Sequence, residues 1–349
     1  MKQFRTEDRP PYFVDSSYCP EGAGAYSNWN VLLHSIPDPR SWIYDRIEYY
    51  VKKECRDSTV TQEVINIVKT ARNYDDTCIG ASPQNTIITH MYVCELLVKA
   101  LLLFFGVKPT NHHGYSKKES ERLRDFYCTN LKDGISQDLH SLFYSTPLPK
   151  KLPSLEEYLR FLPETRKECY SLFKKAPHIF KCVTGFTSTG AHSQPGHYHF
   201  CNPIVDTSTI PGLENLYKQT DIIFPEKQKF YILKTGQGRS TNFPAEEHPY
   251  CDDIISTTED IYGTHYALGF GESDVPKQRD LEIRFYLVFL LGSIARYSPN
   301  DWLELAQNDP ELFIMVRLFL ENNHLSFPFF ILRYITGRGY SLKRSATYG

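Results

Sequence analysis

Pro83-Gln-Asn-Thr-Ile-Ile-Thr-His-Met-Tyr-Val-Cys-Glu-Leu-Leu-Val-Lys-Ala-Leu-Leu-Leu-Phe-Phe-Gly106 decides the fold class. Its apolar residues, among them Ile87, Met91, Val93, Leu96, Leu97, Ala100, Leu101 and Phe104, fall on most sides of a helix. A helix apolar nearly all round belongs in the middle of other helices. Gly106 and Pro109 end it. The spacing of Trp42, Ile43, Ile47, Tyr50 and Val51 predicts a helix starting at Pro39. Val60, Val64, Ile67, Val68 and Ala71 predict another from Ser58 to about Asn73. Leu123, Phe126 and Tyr127 suggest a fourth, amphipathic helix from Ser116 to Asn130.

Beyond this helical region the texture changes. Residues 1–38 are rich in Pro, Gly, Ser and Tyr and read as an irregular arm. Pro147, Pro149 and Pro153 with Lys150 and Lys151 look like a hinge, and Ser154-x-x-Glu157 is a capping box. Between about 177 and 272 Gly, Thr and aromatic residues alternate as in strands. Helices return at Pro276–Arg296, after Ser298-Pro299, after Asp309-Pro310 and, last, over Pro328–Ile335, stopping at Gly337. The expected fold is mainly α with a β-containing middle segment (α+β), two helical halves flanking a small sheet. The expected parts are an arm (1–38), a helical bundle (39–146), a linker and β-containing region (147–275), a C-terminal helical group (276–337) and a basic tail (338–349).

Composition narrows the function classes. The chain has 349 residues, 41% hydrophobic, with 24 Tyr and 22 Phe, enough to bury a sizeable core. Lys plus Arg is 39 against 41 Asp plus Glu, and the net charge of −2 excludes a globally basic nucleic-acid binder but not a local basic groove. The nine cysteines are odd in number and form no CxxC, the pattern of reduced packing cysteines. The N-terminus lacks the apolar core of a signal peptide. The strongly apolar stretch Phe285–Ala295 is shorter than the ~20 residues of a membrane span. A cytoplasmic protein without a membrane is expected. No Walker, HExxH, GxSxG or dinucleotide motif occurs, and no cofactor is assigned.

Three constellations could carry chemistry. His197, His199 and Cys201 alternate, so a strand there puts two imidazoles and a thiol on one face, a donor set that suits zinc. Cys182 or His192 could complete four ligands. Ordinary histidines on an aromatic strand fit equally, and no tightly bound metal is expected. His112 and His113 with Lys117 and Arg122 could face RNA phosphates. The interleaved Glu119 and Glu121 favour a solvated face instead. Arg296, Asp301 and Trp302 read as a packed corner between two helices, with the Arg paired to an acid.

Two stretches resemble known families. Thr89–Gly106 followed by His112-His113-Gly114 looks like the central helix and turn of HEPN-type bundles, small four-helix modules of prokaryotic defence and toxin systems. Phe285–Trp302, with Ala295-Arg-Tyr-Ser-Pro-Asn-Asp-Trp302, is similar to the helix–turn–helix signature of bacterial YaaC-like proteins, whose order of parts would cover most of the chain. The HEPN resemblance implies a metal-free ribonuclease built on Arg317 and His324, spaced as in Arg-x6-His, with Asn322 assisting. There the imidazole would move a proton and the guanidinium would hold phosphate. His324, taken to stand just before a break at Pro328, would also feel a helix dipole. The same spacing fits a surface ion-paired Arg and a helix-capping His. The resemblances together imply a partner-binding or RNA-binding component of an antiviral defence or stress system, with a homodimer as one assembly.

Overall fold

A computed structural model describes residues 30–32, 38–175, 177–187, 196–201, 222–223, 231–234, 257–259, 265–268, 278, 280–336 and 339–341. They divide into two compact units. The first joins Ile36–Phe173 to Gln278–Gly337, and the second is built around Lys174–Lys277.

The helical unit starts with three capped helices. α1 (Pro39–Glu54) begins with Asp38 accepting from the Ser41 amide. α2 (Ser58–Thr77) is capped by Asp57, and α3 (Pro83–Phe104) by Ser82. Each cap satisfies an amide that the first helical turn leaves open. On α2 the buried stripe Val64, Val68, Ala71 continues one turn further to Asp75, a carboxylate in an apolar phase. α3 buries Ile87, His90, Cys94, Leu97 and Leu101 among α2 and two C-terminal helices. By length and composition α3 would pass as a membrane span. In this fold those apolar faces are covered by neighbouring helices.

The first of the two C-terminal partners is buried along nearly its whole length, Leu281 to Ala295. Its Gly292 lies against Met91, where an added Cβ would stand 2.7 Å from the sulfur. The C-terminal helical group therefore shares the core of the N-terminal one.

Residues 116–130 do not form the expected helix. They form the antiparallel hairpin β2 (Tyr115–Lys118) and β3 (Tyr127–Asn130), which follows β1 (Asn30–Leu32) in the chain. Burial overrides the helical spacing here. Tyr115 packs on Phe289 and Tyr286, and the Tyr286 hydroxyl accepts from the Cys128 amide and donates to the Pro153 carbonyl. The 147–153 segment is no open hinge: Leu148 and Leu152 are buried, and Lys150 and Leu152 bond backbone to backbone with Asn130 and Cys128. Gly114 and Gly134 both have positive φ, and a Cβ on Gly134 would overlap Gly114, so glycine is required at this crossing. α4 (Ile135–Ser141) follows, and α5 (Leu155–Leu159) has the expected capping box between Ser154 and Glu157.

α6 (Asp280–Tyr297), α7 (Pro299–Asn308) and α8 (Pro310–Thr336) complete the unit. α8 runs unbroken through Pro328, so no separate last helix exists and His324 lies mid-helix, not at a C-terminus. Asp309 accepts from the Leu312 amide at the start of α8 and from Arg124 of the hairpin. Ser298 precedes α7 as expected, but its hydroxyl accepts from Lys117 instead of capping the helix. Trp302 fills the corner, while Arg296 lies on Tyr92 and Tyr297.

The second unit contains a six-stranded antiparallel sheet in the order β6-β7-β5-β4-β9-β8. Its strands are β4 (Ile179–Thr187), β5 (Gly196–Cys201), β6 (Ile222–Ile223), β7 (Tyr231–Lys234), β8 (Thr257–Glu259) and β9 (His265–Leu268). β1 pairs in parallel with β10 (Gly339–Ser341) in the same unit. The expected mainly α fold with a β-containing middle is the one observed.

Candidate functional site

α2, α3 and α8 bring Asp75, His90 and His324 into one cluster. The Nδ1–H of His324 donates to Asp75 Oδ1 at 2.9 Å. The His324 and His90 rings are 4.2 Å apart between centroids. Asp75 is fully buried, whereas His324 keeps 20% of its side chain exposed. With Nδ1 bound to Asp75, Nε2 of His324 has no hydrogen-bond partner among the described residues. A carboxylate that fixes the tautomer of a reachable imidazole is the arrangement used for general acid–base catalysis.

The buried carboxylate is compensated on several sides. Arg40 of α1 donates to the Asp75 backbone carbonyl, reaches Asp75 Oδ2 at 3.5 Å and bonds Asp76 at 2.8 Å. The Tyr44 hydroxyl stands 3.4 Å from Asp75 Oδ2. Burial pushes the Asp75 carboxyl up, but the hydrogen bond from His324 and the two neighbouring imidazoles outweigh it and hold it well below its ordinary range. Burial, then the neighbouring His324 charge, depresses His90 to about 4 despite Asp75, so His90 is neutral at pH 7.

Two imidazoles and a carboxylate are also a metal donor set. Their neighbours argue against it. Arg284 Nη1 donates to Asn323 Oδ1 at 3.1 Å, which turns Asn323 Nδ2 toward His90 Nε2 at 2.9 Å. His90 Nε2 therefore accepts, and its proton sits on Nδ1, the nitrogen facing Asp75 at 3.8 Å. Ligation through Nδ1 would move that proton against an amide donor, whereas metal-bound histidines donate their second N–H to an acceptor.

The sequence-based candidates are distributed as follows. Arg317 is 56% exposed on α8 and pairs with Glu321 at 3.1 Å. It is two turns from His324, about 10 Å along the axis and on the same face. The Asn322 side chain donates to the Leu318 carbonyl within the helix. His112 pairs with Asp133 at 3.4 Å, Lys117 with Glu119 at 2.8 Å and Arg122 with Asp125 at 2.7 Å. His113 packs on Phe289 and accepts from the Tyr115 amide, and burial lowers its pKa. Each of these four residues is already engaged, Lys117 also through Ser298 of the C-terminal helical group. His197, His199 and Cys201 lie on β5, with Phe186, Thr184 and Cys182 opposite them on β4, so the expected strand is present. The side chains there, and His192, lie outside the described residues.

Asp75 and His90 were not legible as site residues. The signal was a polar residue in the apolar phase of each helix, at Asp75 two residues beyond the expected end of α2. His324 was expected among C-terminal helices alone, yet its ring lies against α3.

The family model for YaaC-like proteins matches residues 32–335. The match concerns that family and lends no support to a HEPN likeness of residues 39–146. No curated protein and no solved structure matches the chain.

Proposed function

We infer that this chain, which belongs to the YaaC-like protein family, is a metal-independent RNA-cleaving component of a bacterial defence or stress system. The observation that carries the reading is His324, oriented by Asp75 through Nδ1 and open at Nε2. In the proposed step Nε2 takes the proton of a ribose 2′-hydroxyl. The 2′-oxygen attacks phosphorus, and the 5′-oxygen leaves with a proton from water. The hydroxide so formed recovers the proton from His324. The products are a 2′,3′-cyclic phosphate and a 5′-hydroxyl end. Arg317 supplies a fork of donors for the phosphate. Its exposed pair with Glu321 holds it weakly, since such pairs are worth about 0–1 kcal/mol. The test is cleavage of total RNA and tRNA by the purified chain in EDTA. Activity lost in His324→Ala with the circular dichroism unchanged supports the reading. Intact RNA with the wild-type chain, even with its partner genes supplied, refutes it.

A second reading, a partner-binding module, has one observation in its favour. Arg296 stacks on Tyr92 and Tyr297 and donates to the Tyr92 hydroxyl, and all three residues are exposed. Tyr and Arg dominate the energetic centres of interfaces. If this patch binds a second copy, sedimentation of Arg296→Glu will show a dimer lost.

A further inference from the structure

His90 is buried, and its Nδ1 has no hydrogen-bond partner. Nothing in the chemistry assigned to His324 requires a second histidine beside it. An unpaired buried N–H is costly, so its direction calls for a reason. The line of polar contacts behind it supplies one. Glu164 holds both terminal nitrogens of Arg284, at 2.7 and 2.9 Å. Arg284 has only donors, so the Asn323 oxygen must face it. The Asn323 amide nitrogen then faces His90 Nε2, and the His90 proton is left on Nδ1, directed at Asp75. Asp75 Oδ1 in turn accepts from His324. The other groups facing this line are Arg40 and Tyr44 of α1, and Cys94 of α3 at 3.5 Å from His90 Nε2.

The geometry points to Asn323 and His90 as positioning residues for the acid–base site: Arg284 and Asn323 fix the His90 tautomer, and His90 directs a second N–H at the carboxylate that orients His324. The inference rests on the reading of His324 given above. It gives the orphaned nitrogen a purpose, because an N–H dipole aimed at Asp75 Oδ1 from 3.8 Å, without a hydrogen bond, adds to the field that keeps the carboxylate charged and facing His324. It also explains a neutral His90. A second proton would sit on Nε2 against the Asn323 amide, beside Arg284.

Full-length protein labelled with 15N at histidine tests this directly. Long-range 1H–15N spectra report which ring nitrogen carries the proton, and His90 is assigned through its contact with the Asn323 amide. The expected result is a neutral His90 protonated on Nδ1 at pH 7. Asn323→Asp keeps an acceptor for Arg284 but offers a carboxylate to Nε2. In that variant His90 should become protonated on Nε2, kcat for RNA cleavage should fall roughly tenfold to a hundredfold, KM should hold within about twofold, and the pH profile of kcat should shift. Wild-type His90 protonated on Nε2 overturns the proposal, even if Asn323→Asp fails to fold. So does an unchanged His90 spectrum and pH profile in a folded Asn323→Asp. The expected tautomers without any RNA cleavage by the wild type would sink the ribonuclease reading and leave the positioning line standing.

Discussion

His324 and Asp75 stand 249 positions apart in the chain and 2.9 Å apart in space. The contact joins the middle of α8 to the last turn of α2, and the ring of His90 from α3 closes it from a third side. A C-terminal histidine thereby becomes part of the N-terminal helical half.

Removing the orienting carboxylate should cost more activity than removing the phosphate holder. Asp75→Asn keeps the volume but offers His324 an ambiguous partner. Loss of such an orienter costs as much as ~10⁴ in kcat. Arg317→Lys keeps the charge but loses the fork, and a loss of about tenfold is expected. Single-turnover cleavage in EDTA, with folding checked by circular dichroism, measures both. Equal losses would remove Asp75 from its special place.

Stability should fall as the solution is acidified from neutrality. His90 titrates near 4 when folded and near 6.5 when unfolded. Between these values the unfolded chain binds the extra proton, so stability is full above about pH 6.5 and is lost toward pH 4. The shift corresponds to roughly 3 kcal/mol. The depressed Asp75 carboxyl adds a loss only at lower pH, below the ordinary carboxylate range near 4. Urea unfolding at pH 7.5, 5.5 and 4.5 reads the slope, and a flat profile would contradict a buried neutral His90.

The centre of the helical unit should be intolerant of both loss and gain of volume. Leu97 is fully buried, and Leu97→Ala should destabilise by about 2–5 kcal/mol. Gly292→Ala drives a methyl into Met91 and should cost about 1–3 kcal/mol unless that side chain turns aside. Chemical denaturation with an unchanged m-value checks each.

Tyr286 ties α6 to both β3 and the 147–153 segment through one hydroxyl. Tyr286→Phe leaves the Cys128 amide and the Pro153 carbonyl without that partner, at about 1–3 kcal/mol. Faster hydrogen exchange at Cys128 should accompany the loss. Unchanged exchange there would show that the hydroxyl does not hold the hairpin.

Metal analysis separates the two donor sets. Dialysis against EDTA should leave stability and RNA cleavage unchanged, because the His90 tautomer blocks ligation at Asp75, His90 and His324. Zinc retained by His324→Ala but lost from a His197→Ala, His199→Ala double variant would instead place a metal on β5.

The sequence by itself determined the helices that carry their own instructions. α1, α2 and α3 are marked by a cap and an apolar period, and α5 by a capping box, so local physics suffices to find them. Residues 115–130 show where it does not. Their spacing allows a helix, and only the aromatic side of α6, with Tyr286 bonding the Cys128 amide, makes a hairpin the better burial. Pro328 likewise reads as a break, yet α8 continues through it, enclosed among buried Phe327, Phe329 and Phe330. The candidate site depended on tertiary structure for the same reason. His324 was visible from its spacing to Arg317, but a hydrogen bond between α2 and α8 has no local period. Asp75 and His90 stood in the sequence as a helix-end acid and one polar residue in an apolar run. Packing α8 against α2 and α3 buried them together, and burial turned ordinary side chains into a hydrogen-bonded carboxylate–imidazole pair with a neutral histidine behind it.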